Sequence, residues 1–273
     1  MGTALRMALE HISNFPDSAI TYVAIPQIVG CFIFGSALEE DGALSKGLQI
    51  GLAGSLTTFS GWMFSIFTDF VNFYSFDRPL AASIYAGFLN ILVIIAVAFS
   101  AFFYGIHSSN NRFLKLIRLS DTPPKILAVI SGGLWILSLL LAILVNPICY
   151  ALVLAPLGSL CRYFVSLKLN SWIENIPLGT FLCNMIGTII FSVCLIISYY
   201  SQDSCVVIRA ITIGFCGNLT TLSSFVNELF SNDKPLNYFI LSLLSGLFFV
   251  FIMDGTFLLL LGLCSSDFSC FKS

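Results

Sequence analysis

Two stretches decide the fold: Gly51 to Phe67 reads GLAGSLTTFSGWMFSIF, and Gly214 to Phe230 reads GFCGNLTTLSSFVNELF. Each carries the pattern G-x-x-G-x-x-T-T-x-S inside an apolar run. Glycines and β-branched threonines in close succession make poor continuous helix, so both runs are expected to break in mid-span. Carbonyls freed at a break inside a bilayer need another helix, water or an ion, and two breaks meeting could hold a cation. Gly, Thr and Ser are also ordinary helix-packing residues in lipid, so spacing alone leaves both readings open.

Working outward, the flanks repeat as well. GTALRMALEHIS, with Gly2 and Arg6, returns as GSLCRYFVSLKL, with Gly158 and Arg162, an offset of 156. IPQIVGCFIFG, around Gln27 and Gly30, matches FLCNMIGTIIFS, around Asn184 and Gly187, at 157. RPLAASIYAGF, with Pro79, answers KPLNYFILSLL, with Pro235, again at 156. Four landmarks in the same order mark an internal duplication.

Composition places this duplication in a membrane. Of 273 residues, 58% are hydrophobic and 10% charged, against about 25% charged in soluble domains, and the mean hydropathy is +0.96. A soluble globular protein is excluded. The net charge of −2 suggests no nucleic acid partner. Apolar runs at 18–38, 47–68, 79–106, 126–145, 148–167, 175–200, 208–227 and 236–264 give eight spans in the lipid bilayer and leave no room for an extramembrane enzyme domain. Asn146-Pro147 separates the fourth from the fifth. The loop 107–125 holds Arg112, Lys115, Arg118 and Lys125 against Asp121 alone, so it is expected in the cytosol. That places loops 36–46, 166–176 and 228–235 inside, and 69–78, 146 and 201–207 outside. Cys31, Cys149, Cys161, Cys183, Cys194 and Cys216 lie in apolar runs and read as packing residues. Met1 to Asp17 has no long apolar core and does not read as a cleaved signal.

The expected architecture is all-α and polytopic: a first repeat at 1–106, the basic loop 107–125, a linker helix at 126–146 and a second repeat at 147–273. Four spans plus one linker insert the second copy upside down relative to the first. The first copy has only five residues before Arg6, where the second has about fifteen apolar residues before Arg162. Its first helix therefore reads as truncated, by a late start or as a fragment.

The motifs G-x-x-x-R, P-x-G-T-x-x-x-N-x-x-G (Pro177, Gly179, Thr180, Asn184, Gly187) and G-F-x-G-x-x-T-T-x-S-x-F (Gly214 to Phe225) closely resemble the Fluc/FEX, or CrcB-like, fluoride channel family. Two fused copies with a linker resemble the eukaryotic single-chain form, which implies fluoride export across the plasma membrane by a monomer containing an internal pseudo-dimer. The resemblance implies that Asn184 donates to fluoride, that Phe59 and Phe225 turn ring edges to the ion path, and that Tyr238 and Ser242 form a polar track. It places Thr58, Thr221 and Ser223 along the pore, Arg6 and Arg162 at a vestibule, and Gly54, Thr57, Gly217 and Thr220 around a structural sodium ion (Na+).

The copies depart from the family in complementary ways. Gln27 stands for the asparagine, Trp62 for the second phenylalanine of the first copy, and Leu222 for the first phenylalanine of the second. One intact pore, completed by Phe59 and Phe225, is expected. Rival readings are a secondary anion transporter, a membrane enzyme and a non-conducting truncated copy. The pore-side segments offer no buried Glu, Lys or His, which favours a channel. Asp254 is expected at the outer interface, and His11 and His107 suggest no metal. The sequon at Asn218 falls in the break and is expected to be unmodified.

Overall fold

The computed structural model describes residues 1–13, 22–38, 42–73, 79–108, 124–144, 149–201, 204–261 and 270. Among the described residues the regular structure is helical, apart from one isolated bridge between Ile173 and Ile176. In chain order the segments are α1 (Gly2–Ser13), α2 (Ala24–Ser36), α3 (Ala43–Phe70), α4 (Leu80–Ser108) and α5 (Pro124–Leu144). They continue with α6 (Tyr150–Leu169), α7 (Leu178–Tyr200), α8 (Cys205–Ser231) and α9, which runs Pro235–Val250, Phe251–Gly255 and Thr256–Leu261. Pro235 opens α9 at the position where its missing N–H costs nothing.

The helices α3, α4, α6, α7, α8 and α9 are each long and apolar enough to cross a bilayer, which makes this a polytopic membrane protein. The eight expected spans correspond to these six and to two shorter apolar helices, α2 and Ala128–Leu144 within α5. The shorter pair adjoins residues 14–21 and 145–148, outside the described set. Most of the basic loop, with Arg112, Lys115 and Arg118, also lies outside the described residues.

The two motif-bearing helices are central. In α3 and α8, 78% and 61% of the most apolar window is buried, against 22–28% in α4, α6 and α9. Large apolar side chains such as Leu80, Phe88, Leu157 and Phe248 face outward, while Thr57, Asn184, Thr188, Ser192, Thr220 and Thr221 fill the interior. Lipid is as apolar as leucine, so packing and hydrogen bonds between polar groups hold such a bundle together.

Both expected breaks are present. Thr57 (φ −91°, ψ 147°) and Thr220 (φ −90°, ψ 152°) are extended, so each span ends one helix and begins another. The sequence did not announce the wide π turns that precede them at Gly47–Ala53 and Ala210–Cys216, or a third at Phe251–Gly255 in α9. Such turns release backbone groups from the regular ladder and recur at functional sites.

Two corrections follow. Asp254, expected at the interface, is 0% exposed, because the π turn of α9 rotates it into the bundle against α7. Cys205, at the head of α8, is joined to Cys270 in a disulfide, a pairing the apolar context of the other cysteines did not suggest. Of those, Cys31, Cys183, Cys194 and Cys216 are buried, Cys149 is partly exposed and Cys161 is exposed.

Candidate functional site

The breaks of α3 and α8 meet, and each supplies what the other lacks. A helix beginning at a break has backbone N–H groups with no intrahelical acceptor. Thr57 Oγ1 accepts from Leu222 N (3.3 Å) and Ser223 N (3.1 Å), and Thr220 Oγ1 accepts from Ser60 N (3.3 Å). Besides the local caps of Gly61 N by Thr58 and Ser224 N by Thr221, these caps are exchanged between halves of the chain 160 or more residues apart. Hydroxyl pairs Thr57–Thr221 (3.2 Å), Thr57–Ser223 (3.0 Å) and Thr58–Thr220 (3.1 Å) complete the knot. Thr58, Thr221 and Ser223 therefore sit in the hydroxyl cluster at the crossing. Gly30 and Gly187 admit it: a Cβ at either would fall on the Thr57 or Thr220 methyl.

The two arginines reach across in the same way. Arg6 donates to the carbonyls of Ser55 (3.0 Å), Gly217 (2.6 Å) and Ile213, and Arg162 donates to Ile50 O at 2.7 Å. Both are 2% exposed, so the positions assigned by resemblance to a vestibule hold guanidinium groups against the broken helices. A Cβ at Gly54 would collide with Arg162, and one at Gly217 with Arg6. The pair is unequal: Arg6 is also 3.8 Å from Glu10, whereas Nε and Nη1 of Arg162 have no hydrogen-bond partner among the described residues.

Asn184 and Gln27 occupy matching places and do different things. The Asn184 amide closes on one residue of the break, with Oδ1 accepting from Thr221 N (2.9 Å) and Nδ2 donating to Thr221 O (3.3 Å). Gln27 Nε2 donates to Thr58 O (2.8 Å), and its Oε1 has no partner among the described residues. The Asn218 amide is buried and donates to Gly214 O.

The aromatic groups assemble on one side. Phe59 meets Phe225 edge to face at 5.7 Å, and Phe225 meets Tyr238 at 5.2 Å. Trp62 also lies edge-on to Phe59, at 5.8 Å. Beside Tyr238 stands Glu228, which sequence reading missed. Its carboxylate accepts from Tyr238 OH (2.9 Å), Asn170 Nδ2 (3.2 Å) and Thr180 Oγ1. An open hollow lined by Asn170, Asn175, Glu228, Ser231, Asn232 and Asp233 leads to it. The signal was available: Glu228 follows Phe225 by three residues on the helix Ser223–Ser231, which makes the two neighbours on one face. Glu228 is half-buried, so a carboxylate reaches this path from its open end.

Among the described residues, no group of His, Cys, Asp and Glu could hold a metal ion. What the site offers is hydroxyls, amides, backbone carbonyls, two guanidinium groups and the Glu228 carboxylate, a set that suits recognition of a small ion.

Comparison with known proteins agrees with this architecture. Residues 149–256 match the family model described as CrcB-like protein, Camphor Resistance (CrcB). The chain is 25% identical to Fluoride export protein 1 of Neurospora crassa, with 84% of this chain and 59% of that protein covered. It is 23% identical to the protein of the same name in Candida albicans, with 87% and 71% covered. The chain thus spans less than two thirds of the Neurospora relative. Over 41% of its length it is 35% identical to the Fluoride-specific ion channel FluC of Acinetobacter baylyi, 86% of which is covered. No solved structure matches. A broken, glycine-flanked T-T helix in each half, and a match that takes in nearly the whole of a single-copy relative, place the chain in the CrcB-like family.

Proposed function

We propose that the chain is a passive fluoride channel with one conducting path, running along the seam between α7 and α9. The observation that carries this is the difference between the halves. On α7, Thr180, Asn184, Thr188 and Ser192 recur every four residues and are all buried, and α9 presents buried Tyr238 and Ser242. The matching positions of the first half are Val23, Gln27, Cys31 and Gly35 on or beside α2, with Ala82 and Ala86 on α4. There the backbones close on each other: a Cβ at Gly35 would fall on the Phe102 carbonyl, and one at Gly105 on that of Phe32. One seam is closed by backbone contact and keeps Gln27 as its polar group at these positions, while the other carries hydroxyls and an amide along its length, bonded here to Glu228, Thr221 O, Asn184 O and Asp254, the class of group that can donate to a small, strongly hydrated anion.

Fixed positive potential favours an anion. Arg6 and Arg162 hold two positive charges at the crossing, and the half-helices starting at Phe59 and Ser223 direct their positive ends to it. Phe59 and Phe225 meet edge to face, and in this reading their electropositive ring edges line the path. The names of the relatives, a fluoride export protein and a fluoride-specific ion channel, support fluoride as the ion. In this reading the two repeats are inverted, with the boundaries at 106, 126 and 147, the protein acts as a monomer with an internal pseudo-dimer, and it resides in the plasma membrane.

Sodium fits the crossing. The extended Thr57 and Thr220 free their carbonyls from the helical ladder beside converging hydroxyls, an all-oxygen set suited to a hard cation. Gly54 and Gly217 flank it, although the Gly217 carbonyl is shared with Arg6. The ion would offset the carbonyl dipoles that meet there.

Efflux from proteoliposomes, read with a fluoride electrode under a potassium-set voltage, tests the proposal. Flux should follow voltage and the fluoride gradient and ignore an imposed pH gradient. Glu228 and Asp254 favour a second reading, a proton-coupled anion transporter. Fluoride driven uphill by a pH gradient would establish it instead.

A further inference from the structure

The buried face of α9 does not end at Ser242. Tyr238, Ser242, Gly246, Val250 and Asp254 follow at four-residue intervals, and all are buried. Over those sixteen residues the face rises about 24 Å, which is most of a bilayer core. On a regular helix a four-residue interval drifts by about 40° per step. The π turn at Phe251–Gly255 takes out part of that drift and returns Asp254 to the seam.

The seam is therefore closed at both ends by a carboxylate bonded to α7. At one end Thr180 and Tyr238 both donate to Glu228. At the other, Ser192 Oγ donates to Asp254 Oδ2 at 2.8 Å. Asp254 is 0% exposed, and its Oδ1 has no hydrogen-bond partner among the described residues. The nearby ring of Phe67, 3.5 Å from where a Cβ of Gly255 would stand, offers none. In the first half the positions matching Ser192 and Asp254 are Gly35 and Ala98, so the second carboxylate belongs to the polar seam alone.

We propose that Asp254, held by Ser192, is the outer gate of the ion path and makes it rectify: anions leave past it more readily than they enter. The inference rests on the fluoride-channel reading. A negative charge at the outer end thins the anion population waiting to move inward and leaves the supply from the cytosolic end untouched. In a passive channel this changes the ratio of inward to outward flux at opposite voltages and leaves the reversal potential where it was. A unit charge roughly 8 Å away, at an effective dielectric near 30, changes local anion occupancy about tenfold.

The test is whole-cell recording of the full chain with equal fluoride on both sides, comparing currents at matched positive and negative voltage. The wild type should pass outward-moving fluoride preferentially. Asp254→Asn should raise inward movement about tenfold and bring the ratio toward one. Ser192→Ala removes the hydrogen bond that favours the charged carboxylate and should weaken the asymmetry, so the idea stays open to refutation even if Asp254→Asn does not fold. A ratio unmoved by folded Asp254→Asn or by Ser192→Ala, on a robust wild-type current, overturns the gate and leaves the channel reading intact. A wild type that carries no fluoride overturns both.

Discussion

Replacing Phe225 by leucine separates the ring edge from the packing. Phe225 is fully buried and touches Phe59 at 5.7 Å and Tyr238 at 5.2 Å. Leucine keeps most of the volume, and apolar swaps of that kind usually cost less than about 1.5 kcal/mol, so the protein should still assemble. What disappears is the electropositive edge. The quadrupole that draws a desolvated cation to a ring face with roughly 1–2 kcal/mol draws an anion to the edge with comparable strength. Its loss should slow fluoride efflux about tenfold. Trp62→Phe is the matched control: Trp62 is equally buried and its Nε1 has no hydrogen-bond partner among the described residues, so a ring remains and no bond is lost. Efflux per folded molecule, measured with a fluoride electrode on proteoliposomes of equal protein content, should fall with Phe225→Leu and change little with Trp62→Phe. The reverse pattern would refute the assignment of the path to the Phe59–Phe225 side.

Gly217→Ala should push the Arg6 guanidinium off its carbonyls, and a buried charge left unpaired costs roughly 3–5 kcal/mol. In a chain of this size the melting temperature in detergent should drop by about 6–20 °C, while Gly51→Ala, which meets open space, should leave it unchanged; equal shifts would contradict the Arg6 lock. Cys205 and Cys270 should resist a maleimide until reduced, then react in intact cells with an impermeant reagent, because a disulfide needs the oxidising side of the membrane. Labelling that required permeabilised cells would invert the topology taken from the loop 107–125. Replacing sodium by a large organic cation should lower the melting temperature by an amount that grows with the sodium removed, about 2.7 kcal/mol of stabilisation at a hundredfold excess over the dissociation constant. A melting curve indifferent to the cation would remove sodium from the crossing.

The breaks were legible in the sequence because their cause is local. Glycine and threonine in that order disfavour continuous helix wherever they stand, and Thr57 and Thr220 are extended as the pattern required. Repetition likewise told which residues would hold matching places, as Arg6 with Arg162 and Gln27 with Asn184. What those residues do was not legible, because their partners come from the other half of the chain: nothing near Thr57 in sequence indicates that it caps a helix beginning at Ser223. The same holds for Arg6, whose carbonyl partners at Ile213 and Gly217 replace the solvent a vestibule would offer. Asp254 was misread for a different reason. Counting the rise along a helix addresses depth and leaves the azimuth open, and the π turn at Phe251–Gly255 sets the azimuth that puts Asp254 inside the bundle against Ser192. A duplicated chain therefore reveals most where its copies disagree. Thr180, Glu228, Tyr238 and Asp254 face Val23, Ser65, Ala82 and Ala98 at matching positions, and all four differences remove polarity or charge from one seam and leave it on the other. Asn90, at the position of Gly246, and Ser83, at that of Phe239, run the other way; the Asn90 amide is taken up by Ser65 and Asp69 within its own half, and the buried Ser83 hydroxyl has no hydrogen-bond partner among the described residues. Drift in a redundant copy would scatter such losses evenly over both seams, so their concentration on one is what a fused chain keeping a single path should display.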